Sequence, residues 1–206
     1  MIVVHHLENS RSQRILWLLE ELALPYEVKR YARDPSTMLA PPALANVHPL
    51  GKSPVIDDEG RVIAETGAIV EYLVESANGA LGAPGNRDEA LRYRYFLHYA
   101  EGSLMPPLLA MLVVKRLGIL GRPARAPLQQ MFDVHLDWME AELATRPWFA
   151  GSDFTAADVM MSFPIEAARS RAGATTRVNL MDWLERCHAR PAYARALARG
   201  GPYAYA

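Results

Sequence analysis

The stretch that decides the fold covers residues 51–66 and has the sequence GKSPVIDDEGRVIAET. Two Val-Ile pairs, at 55–56 and 62–63, lie on either side of a turn that contains Gly60. Such β-branched pairs around a glycine turn predict two short antiparallel strands. Pro54 stands at the start of the first strand. Its missing N–H favours the edge of a sheet, where the amide and carbonyl of Ser53 are open to an extended ligand.

A helix is predicted directly after this hairpin. From Glu65 onward, apolar residues recur at helical spacing, namely at Ile69, Val70, Leu73 and Ala77. The start of a helix carries partial positive charge and unpaired N–H groups, which attract anions. Glu65 and Thr66 are therefore candidate ligand-binding residues. A plain β-hairpin with an edge proline gives the same local pattern without any ligand.

The N-terminal part of the chain predicts a strand, a helix and a second strand. Residues 2–7 are β-prone, residues 11–22 carry an apolar stripe at helical spacing, and residues 26–31 roughly alternate. A unit of this kind predicts a parallel strand pair with a right-handed crossover. Ser10, with Gln13 three residues later, matches a capping box and predicts a helix start near Ser10.

The motifs around Pro54 resemble the glutathione site of the glutathione S-transferases. The likeness rests on Gly51-Lys52-Ser53-Pro54-Val55, followed after the hairpin by Glu65-Thr66. In that family the proline is cis and usually follows a valine, where this chain has Ser53. The resemblance implies a thioredoxin-like N-terminal domain of order βαβαββα, although four prolines in residues 34–49 permit at most a short second helix. It also implies glutathione as co-substrate, with no other bound cofactor.

The rest of the chain predicts an all-α domain. Residues 80–86 are rich in Gly and Pro and predict a linker, so the thioredoxin-like domain spans 1–79 and the helical domain spans 87–206. Pro106 and Pro107 predict that its first helix divides after Met105. Helical spacing predicts helices at 88–117, 127–144, 155–169, 179–188 and 191–198.

A second capping box is predicted at the start of a helix in this domain. Thr155 matches the N-cap and Asp158 its reciprocal partner, while Phe154 and Val159 flank them as an apolar pair. The resembling family has such a box at the start of a buried helix. There it serves folding and has no chemical role.

Composition narrows the classes of function. The 206 residues are 50% hydrophobic and 22% charged, and the formal net charge is −1. This balance gives no broad attraction for nucleic acid or an anionic membrane, so neither partner is expected. The single cysteine, Cys187, is interpreted as a structural or surface thiol. No signal peptide or long apolar run is apparent, and a cytoplasmic location is expected.

No metal site is expected at the histidine pair near the N-terminus. His5 and His6 are neighbours on a predicted strand, so their side chains point to opposite faces. No third ligand is spaced with them, as a metal site requires.

A glutathione transferase must hold the glutathione thiol as a thiolate, because a free thiol is mostly protonated near pH 7. A hydroxyl at a helix start can donate a hydrogen bond to the sulfur, where the helix N-terminus adds positive charge. Ser10 lies there and, aligned on Arg14, matches the serine of the serine-type classes. Asn9 and Ser12 are alternative donors, and a simple N-cap role for Ser10 also stays open.

The resemblance implies which residues hold glutathione. Glu65 is expected to pair with the amino group of the γ-glutamyl part, and Thr66 to hold its carboxylate. Lys52 is expected to face the glycyl carboxylate, while Ser53, directly before Pro54, pairs with the cysteinyl backbone. Single exposed charges such as Lys52 and Glu65 are otherwise usually only solvated.

A small hydrophobic electrophile is expected to bind in the helical domain. The candidate pocket residues follow its first helix, and they are Ser103, Met105, Pro106, Leu109 and Leu112. A methionine makes such an apolar pocket pliable. An ordinary helical core is the alternative interpretation of these side chains.

We therefore interpret the chain as a cytosolic, bacterial-like glutathione S-transferase of the serine type, with a role in detoxification. Two alternatives stay open: a non-catalytic binding or regulatory protein with the same fold, and a glutathione-dependent reductase or dehalogenase. A homodimer is expected, because Tyr and Arg are enriched at interfaces and the family pairs the corresponding helices. Tyr95 is the main expected contact, together with Tyr72, Arg92 and Tyr99.

Overall fold

A computed structural model describes the backbone of residues 1–206 and every side chain except that of Arg171. Contacts divide the chain into two units. The first comprises residues 1–82 together with 188–206, and the second comprises residues 83–187.

The first unit contains a four-stranded sheet of order β2-β1-β3-β4. Its strands are β1 (Ile2–Leu7), β2 (Tyr26–Tyr31), β3 (Val55–Asp58) and β4 (Arg61–Ala64). β1 pairs parallel with β2 and antiparallel with β3, and β3 pairs antiparallel with β4. The predicted parallel pair and the predicted hairpin are both confirmed.

Two helices, α1 (Ser12–Glu21) and α2 (Thr66–Ser76), follow β1 and β4. The second helix of the predicted order is only a 3₁₀ turn, Pro42–Leu44. The prolines of this segment supply no backbone N–H for a longer helix. Leu44 nevertheless anchors the segment, because it is buried in a cluster with Leu7 and Tyr31.

The capping box predicted at Ser10 is wrong. α1 begins at Ser12 and has Arg11 at its N-cap, with no side-chain cap. Ser10 Oγ accepts a hydrogen bond from the N–H of Ser12 at 3.2 Å. The side-chain amide of Gln13 is buried and has no hydrogen-bond partner in the described part of the chain, so it does not complete a box.

The second unit is helical. Its helices are α3 (Arg87–Tyr99), α4 (Met105–Arg116), α5 (Arg122–Leu143), α6 (Ala156–Arg171) and α7 (Val178–His188), which ends at the boundary between the units. A π-helical turn, Ala100–Leu104, separates α3 from α4, so the predicted division falls before Met105 and not after it. Pro106 and Pro107 occupy the first turn of α4, where a missing N–H costs no helical bond. α5 begins at Arg122, earlier than predicted, and contains Pro127.

The capping box at Thr155 and Asp158 is confirmed. Asp158 Oδ2 accepts from the N–H of Thr155 at 3.0 Å, while Oδ1 accepts from Phe149 N and from Trp183 Nε1, each at 3.0 Å. All of these groups are buried. Burial raises the pKa of Asp158, and the donors around it oppose that shift by favouring the carboxylate. The box therefore ties the start of α6 to the loop before it and to α7.

The last helix, α8 (Pro191–Gly200), packs against α1. Arg190 Nε lies 2.6 Å from Glu21 Oε1, and Arg195 Nε lies 2.7 Å from Glu20 Oε2. Through these contacts with α1, the C-terminal segment belongs to the same unit as the sheet. The sequence-based division placed all of residues 87–206 in one helical domain.

One helical run, residues 87–116, is long and apolar enough to cross a membrane by length and composition. About 33% of its most apolar window is buried within the fold. The core helices of folded proteins meet the same criteria, so this run does not by itself identify a membrane-spanning segment.

Candidate functional site

The register of the sheet brings the expected glutathione-binding residues to one edge. His5 of β1 lies opposite Val55 of β3, and Val55 lies opposite Ala64 of β4. The carboxyl end of β1, the start of β3 and the carboxyl end of β4 are therefore neighbours. Because α1 and α2 begin just beyond the ends of β1 and β4, two helix N-termini also lie at this edge. Such an edge is where ligands bind in many α/β proteins.

Ser53 links the start of β3 to the end of β1. Its Oγ donates to the carbonyl of His5 at 2.8 Å and accepts from the N–H of Leu7 at 3.3 Å. The bond between Ser53 and Pro54 is cis, as the resemblance implied. Within the described part of the chain, the backbone N–H and C=O of Ser53 have no protein partner. These groups are thus open to an extended peptide.

Ser10 belongs to a chain of hydrogen-bonded side chains that leads into the core. Its Oγ lies 2.7 Å from Ser12 Oγ, which lies 2.9 Å from Nδ1 of His6. The carbonyl of Leu7 lies 3.3 Å from Ser12 Oγ, a longer contact than the one to His6. Ser10 is 6% exposed, whereas Ser12 has no exposed surface. Burial therefore argues against Ser12 as a direct contact of a ligand.

The ring of His6 sets the direction of these hydrogen bonds. Burial, and then the charge of Arg30, lower the pKa of His6 to about 4, so the ring is neutral near pH 7. A hydrogen bond to the backbone of Gly200 raises that pKa. Gly200 is the last residue of α8, where carbonyl groups have no partner within the helix, so we take its carbonyl as the acceptor. We assign the ring proton to Nε2, so that Nδ1 accepts the proton of Ser12 and Ser10 donates to Ser12.

Asn9, the first alternative to Ser10, has a left-handed backbone with φ of 49°. Its Oδ1 accepts from the N–H of Ala204 at 2.7 Å, which fixes the orientation of the amide. The guanidinium of Arg33 donates to the Asn9 carbonyl at 3.3 Å and holds the loop. The Nδ2 group of Asn9 has no acceptor within the described residues, so it is available as a donor.

Glu65 and Thr66 differ in exposure at the start of α2. Glu65 is exposed and has φ of 71°, an uncommon conformation for a residue with a side chain. Thr66 is 5% exposed. Lys52, at the start of the β3 loop, is also exposed. Neither Lys52 nor Glu65 forms an ion pair with another described residue, so both charges are available to a ligand.

The expected electrophile-pocket residues lie in the helical unit and differ in burial. Met105 is 6% exposed and belongs to the core, and Leu112 is half-buried. Ser103, Pro106 and Leu109 are exposed, with Ser103 in the π-helical turn. The pocket itself stays a prediction.

His6 is a residue next to the candidate site that the sequence analysis missed, because the histidine pair was considered only as a metal site. The two rings have separate partners: His5 Nδ1 lies 2.8 Å from the hydroxyl of Tyr31, and His6 bonds to Ser12. The alternation of side chains along β1 already placed His6 on one face with Val4. Only the packing of α1 on the sheet identifies Ser12 as its partner.

Comparisons with known proteins identify the family of the chain. The chain matches the glutathione S-transferase N-terminal domain over residues 10–76 and the glutathione S-transferase C-terminal domain over residues 122–199. It is 38% identical over 210 residues to Glutathione S-transferase 3 of Schizosaccharomyces pombe, with 93% of this chain and 85% of that protein covered. This chain belongs to the glutathione S-transferase family. The predicted family is thereby confirmed.

Solved glutathione S-transferases share the fold. A crystal structure of a glutathione S-transferase from Actinobacillus pleuropneumoniae matches with a TM-score of 0.90 at 33% identity, and covers 100% of this chain and 95% of that one. A glutathione transferase family member from Pseudomonas fluorescens, solved with two glutathione bound, matches with a TM-score of 0.81 at 23% identity over 95% of this chain and 92% of that one. The predicted fold class, a thioredoxin-like unit followed by helices, is confirmed.

Proposed function

We propose that this transferase family member binds glutathione at the edge where β1 and β4 end and β3 begins, and uses the bound thiolate as a nucleophile. One observation carries the proposal. Ser53 is bonded to the end of β1 through Leu7 N, so the open backbone of Ser53 and the start of α1 lie at the same edge. A peptide with a central thiol has a backbone acceptor and donor there, beside a helix N-terminus.

The charges at this edge match those of glutathione. The backbone of Ser53 pairs with the cysteinyl part of the peptide, as an added strand does. Lys52 attracts the glycyl carboxylate. Thr66 and the first N–H groups of α2 hold the γ-glutamyl carboxylate, and Glu65 pairs with the amino group.

The start of α1 then supports the chemistry. The helix N-terminus and a hydrogen bond from Ser10 stabilise the thiolate, so that more of the nucleophilic form is present near pH 7. The sulfur lone pair forms a bond to an electrophilic carbon, and the leaving group departs with its bonding electrons. To donate to the sulfur, the hydroxyl of Ser10 must break its hydrogen bond to Ser12.

That last requirement favours a second candidate function, a glutathione-binding protein without turnover. If the bond from Ser10 to Ser12 persists when glutathione is bound, the sulfur lacks this donor and stays largely a thiol. The protein then binds the peptide through Ser53, Thr66 and the charges around them, and catalyses nothing.

Retention on immobilised glutathione, followed by assays with aryl halides and hydroperoxides, separates the two candidates. Retention with turnover supports the transferase, and the preferred substrate identifies conjugation or peroxide reduction. Retention without turnover supports the binding protein. Absence of retention contradicts both. The electrophile pocket, the cytoplasmic location, the role in detoxification and the homodimer stay predictions of the same proposal.

A further inference from the structure

The connection between α4 and α5 exposes an unusual amount of apolar surface. Ile119 is 75% exposed and Leu120 is 85% exposed, the two highest values among the large hydrophobic side chains that the structure describes. Leu117, just before them, is 52% exposed. Isolated exposed hydrophobic residues are common, but three within four positions form a patch.

The charged residues along the chain on both sides of this patch have one sign. Residues 102–132 contain four basic residues and no Asp or Glu, in a chain with a formal net charge of −1. All four basic side chains are exposed, and none has a carboxylate partner within the described residues. They flank the apolar patch on both sides, at Lys115, Arg116, Arg122 and Arg125.

The connection also has a defined conformation. The guanidinium of Arg125 donates to the carbonyl of Gly118 at 3.1 Å, which ties the start of α5 to the end of α4. Gly118 has φ of 59°, a left-handed conformation that reverses the chain after α4. The apolar side chains and the basic side chains are thus presented together on one short hairpin end. We call residues 115–125 the α4–α5 tip.

We propose that the α4–α5 tip docks this protein onto an anionic bilayer surface. Its apolar side chains enter the boundary between headgroups and acyl chains, while its basic side chains contact lipid phosphates. The net charge of the whole chain gave no reason to expect a membrane partner. However, electrostatic attraction to a membrane surface acts only within about 10 Å, so it depends on the local charge of the tip and not on the net charge of the chain. The inference is independent of the reaction proposed above.

Charge disfavours a second copy of this chain as the occupant. A twofold contact places the same patch on both sides, so four cations would face four cations. An embedded helix is also disfavoured, because one face of the apolar run before the tip packs inside its own unit. Its side chains at Phe96, Leu97, Leu104 and Leu108 are at most 3% exposed.

The expected strength of binding to anionic vesicles follows from the number of basic side chains at the tip. Each Lys or Arg near an anionic surface raises the partition coefficient roughly fivefold. Four such side chains therefore raise it by at most about several hundred-fold. Added salt weakens this attraction, since these charges are exposed. Binding to neutral vesicles is expected to be weak, because three partly inserted side chains give only marginal affinity.

Cosedimentation with vesicles tests the proposal. The wild-type protein should sediment with vesicles of phosphatidylcholine containing about a quarter phosphatidylglycerol, at least roughly tenfold more than with phosphatidylcholine alone. High salt should abolish the difference. The double variants Ile119→Ser with Leu120→Ser, and Lys115→Gln with Arg116→Gln, should each lose about tenfold or more in partitioning. Leu91→Ser with Val178→Ser is the matched control, since both side chains are exposed apart from the tip, at 65% and 66%.

Equal sedimentation with neutral and anionic vesicles would overturn the proposal. Retained binding in both tip variants, or an equal loss in the control, would do the same. If Ile119→Ser with Leu120→Ser instead lowers the mass of the protein measured by light scattering without vesicles, the patch contacts a second copy and the membrane assignment is wrong.

Discussion

Ser10 Oγ lies 2.7 Å from Ser12 Oγ, so one of the two hydroxyls donates its proton to the other. With the ring proton assigned to Nε2, His6 Nδ1 accepts the hydrogen bond of Ser12 at 2.9 Å, and this makes Ser10 the donor of the serine pair. Donation from Ser10 to a glutathione thiolate therefore competes with donation to Ser12. This competition decides what substitutions at each serine do.

Ser10→Ala should lower turnover by roughly ten- to a thousand-fold, because one donor to the developing charge is lost, at about 1.5–4 kcal/mol. Glutathione affinity should change far less, since the peptide is held by other groups. Steady-state kinetics with an aryl halide, together with calorimetry of glutathione binding, measure the two effects.

Ser10→Thr serves as the matched control, because it keeps a hydroxyl and should retain most of the activity. Full activity in Ser10→Ala, with a large loss in Asn9→Ala, would assign the donor role to Asn9. The available Nδ2 group of Asn9 makes that outcome chemically reasonable.

Ser12→Ala should leave turnover unchanged or raised, because the Ser10 proton no longer has Ser12 Oγ as an acceptor. The same change should lower the free energy of unfolding by about 1–3 kcal/mol, since Nδ1 of the buried His6 ring loses its partner. Thiolate absorbance of bound glutathione against pH, and thermal unfolding, test the two parts separately. A loss of turnover at unchanged stability would mean that Ser12 supports the reaction directly.

The sequence predicted the strands and helix starts around the candidate site better than it predicted the hydrogen bonds there. Glu65 and Thr66 at a helix start, and Pro54 at a strand start, follow from local patterns that the sheet register then brings together. The contact from His6 to Ser12 crosses from β1 to α1. It depends on side-chain packing that no periodicity encodes. The Ser10 capping box failed because Ser10 Oγ accepts from the N–H of Ser12 and not from that of Gln13, a choice between two nearby donors that the sequence motif does not make.

The end of the chain shows a similar limit. Residues 191–198 were correctly predicted as helical, since their apolar spacing is local. Their place beside α1 involves contacts between residues far apart in sequence, such as the ion pair of Arg190 with Glu21 and the ring contact of Trp17 with Tyr193. A charge pattern alone does not identify partners at that separation.

Lys52→Ala and Glu65→Gln should each raise the KM for glutathione without an equal loss in kcat. Both charges are expected to contact parts of the peptide that do not react, and each contact is worth about 1–3 kcal/mol. Because neither side chain has an ion-pair partner among the described residues, its loss should not alter stability. Unchanged glutathione affinity in both variants, measured by calorimetry, would show that these charges are only solvated.

Stability should fall as pH decreases from about 6.5 toward about 4. The pKa of His6 is lowered to about 4 in the folded protein, so between these values the unfolded chain binds the extra proton more readily. Stability from this group is therefore complete above pH 6.5 and is lost as pH falls, by about 3 kcal/mol in all. Urea unfolding at a series of pH values measures the slope.

The variant His6→Asn isolates this contribution, because it keeps an acceptor near Ser12 but does not titrate. Its stability should be flatter than that of the wild type over the same range. Burial also lowers the pKa of His5, so some slope should remain in the variant. Identical slopes in the two proteins would contradict the assignment of a buried neutral His6.

Tyr95→Glu should shift a homodimer toward monomer. Tyr95 is 49% exposed, and its ring stacks on Tyr99 with centroids 5.4 Å apart and meets the edge of Trp138 at 5.6 Å. This leaves one face of a rigid aromatic cluster open to a partner, where a buried unpaired carboxylate would be costly. Arg92 is a weaker interface candidate than the sequence indicated, since its guanidinium donates to the carbonyl of Phe149 at 2.9 Å within the same unit.

Light scattering at micromolar concentration should therefore give about twice 22.9 kDa for the wild type and a lower mass for Tyr95→Glu. Tyr95→Phe, which keeps the ring and adds no charge, should stay dimeric. Circular dichroism should be the same for all three proteins, because the Tyr95 side chain is half exposed and its loss opens no large cavity. A monomeric wild type would contradict the homodimer, and a dimeric Tyr95→Glu would place the contact on another surface.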